Sequence, residues 1–206
     1  SFETIQMSLA TTAIDSIPPK RAQVINNLLS FLKTDTIWYQ IFLIFFFLSF
    51  LYRLFCFFFF FWHKLFSYRS TKDPLLAKRQ AALHDPLIQW LSSHFKVPPL
   101  KRVNMTSTES QAEETVIPIQ WMLFGVSDFV LCGLDAAAQT SKSLVIPLAL
   151  YHRKLSIEDA LRACRVEENY QLENYGEVEG FHDLDKVDIE TRLSSAALFL
   201  HLLSEK

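Results

Sequence analysis

The 206-residue sequence predicts a mainly α-helical fold, and three observations support this prediction. Apolar residues recur at three- and four-residue spacing through much of the chain, as in helices that bury one face. Prolines and serines stand where helices commonly begin, as at Pro74, Pro86 and Ser156. Outside residues 37–67, no convincing run of alternating apolar and polar residues indicates a strand.

The first segment of the chain, residues 1–36, is predicted to contain helices over residues 8–17 and 19–33. The second of these helices is amphipathic. Its apolar face consists of Val24, Ile25, Leu28, Leu29 and Leu32. The chain begins at Ser1, without an initiator methionine or a recognisable targeting sequence, which predicts that it is part of a longer protein.

Residues 68–206 are predicted to form a larger helical domain. Helices are expected to begin at Pro74 and Pro86, each after an aspartate, and residues 101–114 are polar enough to form a solvated loop. Further helices are expected around residues 128–138, 144–151 and 156–170, the last of them capped by Ser156. A final helix over residues 185–203 has one apolar stripe, formed by Ile189, Leu193, Ala196, Leu200 and Leu203.

Between these two segments, residues 37–67 have a different composition. They contain 12 of the chain's 19 phenylalanines and no acidic residue. Residues 41–62 are long enough to cross a bilayer as a helix, although Arg53 opposes insertion by about 2.5–3.5 kcal/mol. Pyrimidine-rich nucleotide sequence would be translated into the same residue types, so a retained intron or an error in the gene structure is the preferred explanation. A transmembrane helix and a core element are the alternatives.

Composition and charge argue against several kinds of site. The formal net charge of −2 gives no reason to expect a nucleic acid partner. The four glycines form no phosphate-binding loop. Cys56, Cys132 and Cys164 are odd in number and widely separated, which argues against disulfides and zinc, and the last two are predicted to lie in the core. The sequence therefore predicts no cofactor, no metal and no catalytic residue.

The pairs His84-Asp85 and His182-Asp183 raise the alternative of a metal-dependent hydrolase. Further ligands could come from His152, Asp185 and Asp188. Both pairs stand beside expected helix starts, where aspartate is a common cap, and the cap interpretation is preferred.

The segment from Glu167 to Glu190 is strongly acidic, with nine carboxylates against the single base Lys186. Such a segment can be a solvated surface, and this is the alternative to a functional role. Because aromatic residues are interleaved with the acids, the segment is also suited to bind a basic or amphipathic protein segment. The predicted partner-binding residues are Glu167, Glu168, Tyr170, Tyr175, Glu179 and Asp183.

Several short motifs, taken in order along the chain, resemble one protein family. They are residues 7–15, residues 28–36 (LLSFLKTDT), Tyr68-Arg69, residues 84–90 (HDPLIQW), residues 166–171 (VEENYQ), Tyr175-Gly176 and His182-Asp183. His84 and Tyr175 stand where tryptophan is common in the family. The family that these motifs resemble is that of the assembly chaperones for the F1 sector of mitochondrial ATP synthase, in the branch that handles the alpha subunit.

This resemblance implies the C-terminal helical domain of a two-domain α+β chaperone, with the N-terminal β-rich domain largely missing from this chain. It also implies a non-enzymatic protein of the mitochondrial matrix. Such a protein would bind the unassembled alpha subunit transiently and shield the surface that the beta subunit later covers. A membrane would be a partner only if residues 41–62 are a genuine span, in which case a membrane-anchored adaptor is the alternative function.

Overall fold

The computed structural model describes residues 2–33, 74–100, 111–176 and 182–204. Over these ranges the chain is helical, with no strand. The helices are α1 (Phe2–Asp15), α2 (Ile17–Lys33), α3 (Pro74–Phe95), α4 (Glu113–Gly125), α5 (Asp128–Ser141), α6 (Val145–Tyr151), α7 (Ile157–Cys164), α8 (Val166–Tyr175) and α9 (His182–Leu203). The prediction of a mainly α fold is confirmed.

Helix α5 lies at the centre of the core, because it packs against α1, α2, α6 and α9. Ser127 caps its start by accepting a hydrogen bond from the backbone N–H of Val130. Helices α5 and α9 approach closely at Gly133, where an added Cβ atom would lie 2.7 Å from Cδ2 of Leu200. A larger residue at this position would force the Leu200 side chain to move.

The first two helices belong to the same core as the rest of the described chain. The apolar face of α2 is buried there at Ile25, Leu28, Leu29 and Leu32. Arg21 ties α2 to the turn between α4 and α5, since its guanidinium pairs with Asp128 and donates to the carbonyls of Phe124 and Val126. Residues on both sides of the Phe-rich segment therefore build one hydrophobic core. The predicted boundaries at residues 36/37 and 67/68 lie outside the described residues.

The expectation of separate helices beginning at Pro74 and Pro86 is wrong, because α3 runs without interruption through Pro86. A proline inside a helix removes one backbone hydrogen bond and usually ends the helix. Here Pro86 is on the exposed side, while His84, Leu87 and Leu91 are buried. Because residues before and after Pro86 are buried, the helical turns on its two sides stay in one continuous helix. Asp85 accordingly lies inside a helix and is no cap.

The single helix expected over residues 156–170 is also wrong, because it is divided into α7 and α8. Ser156 caps α7 as predicted, by accepting a hydrogen bond from the backbone N–H of Asp159 at 3.1 Å. The helical geometry is then broken at Arg165, which has φ −105° and ψ 15°. The side chain of Arg165 is buried at this break, a placement that periodicity alone does not reveal.

Other predicted helices are confirmed with changed boundaries: α1 begins six residues before the expected start and α2 begins two residues before it. Helix α6 contains Pro147, and α9 begins three residues before the expected start. Cys132 is buried, and Cys164 is half-buried and packs against the core. Part of the predicted loop, residues 101–110, lies outside the described residues, and its last two residues already belong to α4.

The proposed membrane span at residues 41–62 lies outside the described part of the chain. Among the helices that are described, none combines the length and the apolar character that crossing a bilayer requires.

Candidate functional site

Helix α8 carries the first part of the acidic segment, and polar contacts hold it against α3. Nη1 of Arg79 lies 2.6 Å from Oε2 of Glu173, and its guanidinium lies over the ring of Tyr170, 5.2 Å from the centroid. The next residue of α3, Gln80, donates from Nε2 to Oε1 of Glu167 at 2.7 Å. Glu167 and Tyr170 are therefore already used within the molecule, although both remain partly exposed.

Glu168 differs from the other predicted partner-binding residues, because its side chain is only 10% exposed. Its two carboxylate oxygens accept hydrogen bonds from Nε and Nη2 of Arg165, both at 2.8 Å. Desolvation by burial would lower the pKa of Arg165, but hydrogen bonding to Glu168 and the charges of Glu168 and Asp185 raise it above its ordinary value. Glu168 therefore fixes the junction of α7 and α8, and its carboxylate does not face solvent.

The remaining predicted partner-binding residues lie at or beyond the end of α8. Asp183 is exposed in the first turn of α9, where a carboxylate also interacts favourably with the helix dipole. Glu179 and the side chain of Tyr175 lie outside the described structure. The structure thus brings Glu167, Glu168 and Tyr170 together on α8 and places Asp183 on a different helix.

The residues of the hydrolase hypothesis do not converge in the described structure. His84 is buried, with Nε2 2.9 Å from the carbonyl oxygen of Ala163, beside a cavity of about 10 Å³ that has room for one water molecule at most. His152 instead contacts the rings of Trp90 and His94. Within the described ranges, no three histidine, cysteine, aspartate or glutamate side chains are grouped so as to hold a metal ion.

Sequence patterning did not reveal an aromatic surface on α4, which we call the Trp121 face. It consists of Ile117, Trp121 and Phe124. Trp121 is 72% exposed, and its ring centroid lies 6.5 Å from that of Phe124. The sequence did contain a signal for this surface, because α4 has further apolar residues besides the buried Val116, Ile119 and Leu123. Exposed groups of large apolar side chains often mark protein contacts.

Comparison with known proteins identifies the relatives of this chain. Residues 3–92 match the family described as ATP12 chaperone protein. The chain is related to the ATP12 chaperones. A stretch of 95 residues, 46% of the chain, is 23% identical to the protein atp12, mitochondrial, of Schizosaccharomyces pombe. That stretch corresponds to 33% of the yeast protein, so the match spans about a third of its length.

Solved structures of Atp12 type share the fold. Atp12 from Paracoccus denitrificans superposes with a TM-score of 0.75 and 20% identity, over 95% of this chain and 70% of the bacterial chain. The chaperone-type protein Atu1473 of Agrobacterium tumefaciens gives a TM-score of 0.73 and 20% identity, over 95% of this chain and 62% of its own. The predicted family resemblance is confirmed. ATP12 is a family of chaperones rather than enzymes, which agrees with the prediction of a non-enzymatic protein.

Proposed function

We propose that this ATP12 relative is a chaperone for assembly of the F1 sector of mitochondrial ATP synthase. In this proposal it acts in the mitochondrial matrix, binds the unassembled alpha subunit transiently and shields the surface that the beta subunit later covers. Unassembled subunits expose apolar surface that drives aggregation, and a chaperone must cover such surface until the permanent partner arrives. Its affinity must be low enough to yield to the larger interface of the finished complex.

The Trp121 face is the observation that carries this proposal. Tryptophan is the residue type most often found at the energetic centre of protein interfaces, and large exposed aromatic rings supply contact area at low cost in conformational entropy. Ile117 and Phe124 extend the contact around Trp121 on the same side of α4. This arrangement suits reversible capture of an apolar subunit surface.

The acidic segment supplies the second part of the proposed contact, through Glu167, Tyr170, Tyr175, Glu179 and Asp183. Carboxylates at the edge of an interface steer the encounter and fix its register more than they add affinity. Glu168 contributes indirectly in this proposal. Through its pair with Arg165 it holds the α8 backbone in the position from which its neighbours are presented.

The test is capture of the unassembled alpha subunit by the Trp121→Ala variant of the full chain. Because Trp121 is largely exposed, we expect the variant to keep its helical content and its Tm while its Kd for the alpha subunit rises about tenfold or more. The matched control is Met7→Ala, which removes a side chain of similar exposure from α1. Undiminished capture by a folded Trp121→Ala variant would contradict the proposal, as would equal losses in both variants.

A further inference from the structure

The outward side of α9 carries two pairs of exposed apolar residues with two half-buried polar residues between them, and we call this row the α9 stripe. Its members are Leu184, Val187, Thr191, Ser194, Leu198 and Leu202. Leu184 is 72% exposed and Val187 is 59% exposed, and both leucines near the C-terminus are exposed as well. The core instead uses Leu193, Ala196 and Leu200 on the other side of the helix. Helix α9 therefore buries one side in the core and leaves two exposed apolar pairs toward solvent, one at each end of the α9 stripe.

The spacing of the α9 stripe indicates what shape of partner it fits. Its members follow one another at three- and four-residue steps from residue 184 to residue 202. Steps of three and four residues keep the row on one side of α9, as contact with a second helix requires. At about 1.5 Å per residue the row is roughly 27 Å long, enough for about five turns of a second helix. The geometry favours a helical partner over an extended peptide.

The charges beside the α9 stripe indicate the chemistry of that partner. The positions that flank the N-terminal half of the row carry Asp183 and Glu190 on one side and Asp188 on the other. Asp188 is paired with Arg192 at 2.8 Å, an exposed contact that is easily exchanged. Carboxylates at flanking positions select a helix with lysine or arginine at its own flanking positions.

A second copy of this chain does not satisfy these charges. In a parallel pair of α9 helices the acidic halves would face each other and repel. In an antiparallel pair each acidic half would face residues around Ala197 and Leu202, where the flanking positions supply no lysine or arginine. Charge complementarity therefore favours a foreign basic helix over self-association.

We infer that the α9 stripe is a docking site for an amphipathic helix of a partner protein, with an apolar a/d row flanked by lysine or arginine. This goes beyond the proposed function, because it holds whichever protein supplies the helix and uses a different surface from the Trp121 face. The partner's apolar row covers Leu184, Val187, Leu198 and Leu202, and its basic residues pair with Asp183 and Glu190.

The experiment uses the full chain and two labelled synthetic peptides of three heptads, each with leucine at a and d. One peptide has lysine at its flanking positions, and the other has glutamate. Fluorescence polarisation should show micromolar binding of the lysine peptide, weaker as salt rises, and at least about tenfold weaker binding of the glutamate peptide. The double variant Leu184→Ser/Val187→Ser should lose about tenfold or more in affinity for the lysine peptide without a change in Tm.

Two controls keep the outcome decisive. Met7→Ser removes an apolar side chain of similar exposure from α1 and should leave peptide binding unchanged. Asp183→Lys should weaken binding of the lysine peptide and strengthen binding of the glutamate peptide. Equal affinity for the two peptides, or binding that survives the double variant, would overturn the inference. The inference would also be overturned if the full chain self-associates and the double variant does not. In that case a second copy of the chain would be the occupant of the α9 stripe.

Discussion

The buried pair of Arg165 and Glu168 shows how one residue's environment decides its role. The acidic composition of residues 167–190 placed Glu168 among the residues of a binding surface, but its carboxylate pairs with the Arg165 guanidinium at the break after α7. Removing one partner of a buried ion pair leaves the other charge without compensation, which costs more than the pair itself contributes.

Glu168→Gln is therefore expected to lower the free energy of unfolding by about 3–5 kcal/mol. Asp188→Asn, which removes a carboxylate from the exposed pair with Arg192, should lower it by no more than about 0.5 kcal/mol. Urea denaturation of the two variants measures both values. Similar losses in the two variants would mean that the Arg165 pair behaves as a surface contact.

His152 is the second residue whose environment the tertiary structure defines. Its Nε2 atom is buried and, within the described part of the chain, has no hydrogen-bond partner. Its ring lies 4.4 Å from that of His94, centroid to centroid, and also contacts Trp90, Phe95 and Tyr151. Desolvation by burial, followed by the charge of His94, lowers the pKa of His152 below its ordinary value of 6.5.

The lowered pKa predicts a pH dependence of stability. Below about pH 6.5 the unfolded chain binds a proton at His152 more readily than the folded chain does, so the free energy of unfolding falls as the pH is lowered through this window. Above about pH 6.5 the stabilising contribution of neutral His152 is fully present. Denaturation between pH 5 and pH 7.5 should show a smaller slope for His152→Phe than for the wild type. An unchanged slope in His152→Phe would contradict the assignment.

Among whole elements, the starts that a serine caps are set by local sequence. Ser127 and Ser156 cap α5 and α7 through contacts a few residues away, so local sequence contains the signal. The continuity of α3 through Pro86 depends on burial of His84, Leu87 and Leu91 against other helices. No local rule could have supplied that information, and the local rule for proline pointed the other way.

The contact of α5 with α9 at Gly133 gives a test of packing between elements. Gly133→Ala should lower the free energy of unfolding by about 1–3 kcal/mol, because the added methyl group would overlap Leu200. Gly125→Ala is the matched control, since a Cβ there meets no atom within 4 Å. Thermal or urea denaturation measures both. Equal stability of the two variants would show that Leu200 can move aside freely.

For the molecule as a whole, the two proposed contact surfaces lie on different helices. The Trp121 face is on α4, and the α9 stripe is on α9, so variants of one should leave the other intact. Asp183 belongs to both proposed contacts, but the variants Trp121→Ala and Leu184→Ser/Val187→Ser each change one surface only, so capture of the alpha subunit and binding of the basic peptide can fail separately in them. The first failure would affect the proposed chaperone function, and the second would affect only the inferred docking site.

The hydrophobic core contains residues from both sides of the Phe-rich segment at residues 37–67. Helices α1 and α2 precede this segment, yet both pack on α5, far along the chain, and α1 also packs on α9. The resemblance of motifs on both sides of the segment indicated one protein, and the shared core is consistent with it. Arg21 reinforces the connection by binding carbonyls at the end of α4.

The sequence by itself determined the helical class, the Ser156 cap and the family resemblance, because periodicity, local hydrogen bonding and ordered motifs are properties of neighbouring residues. The tertiary structure alone decided that Pro86 lies within a helix, that Glu168 is an interior ion pair and that Trp121 and Leu184 are left exposed. These outcomes depend on which surfaces meet across the molecule. An apolar or charged residue is buried or exposed according to the helix that packs against it. The neighbouring residues in the sequence do not determine which helix that is.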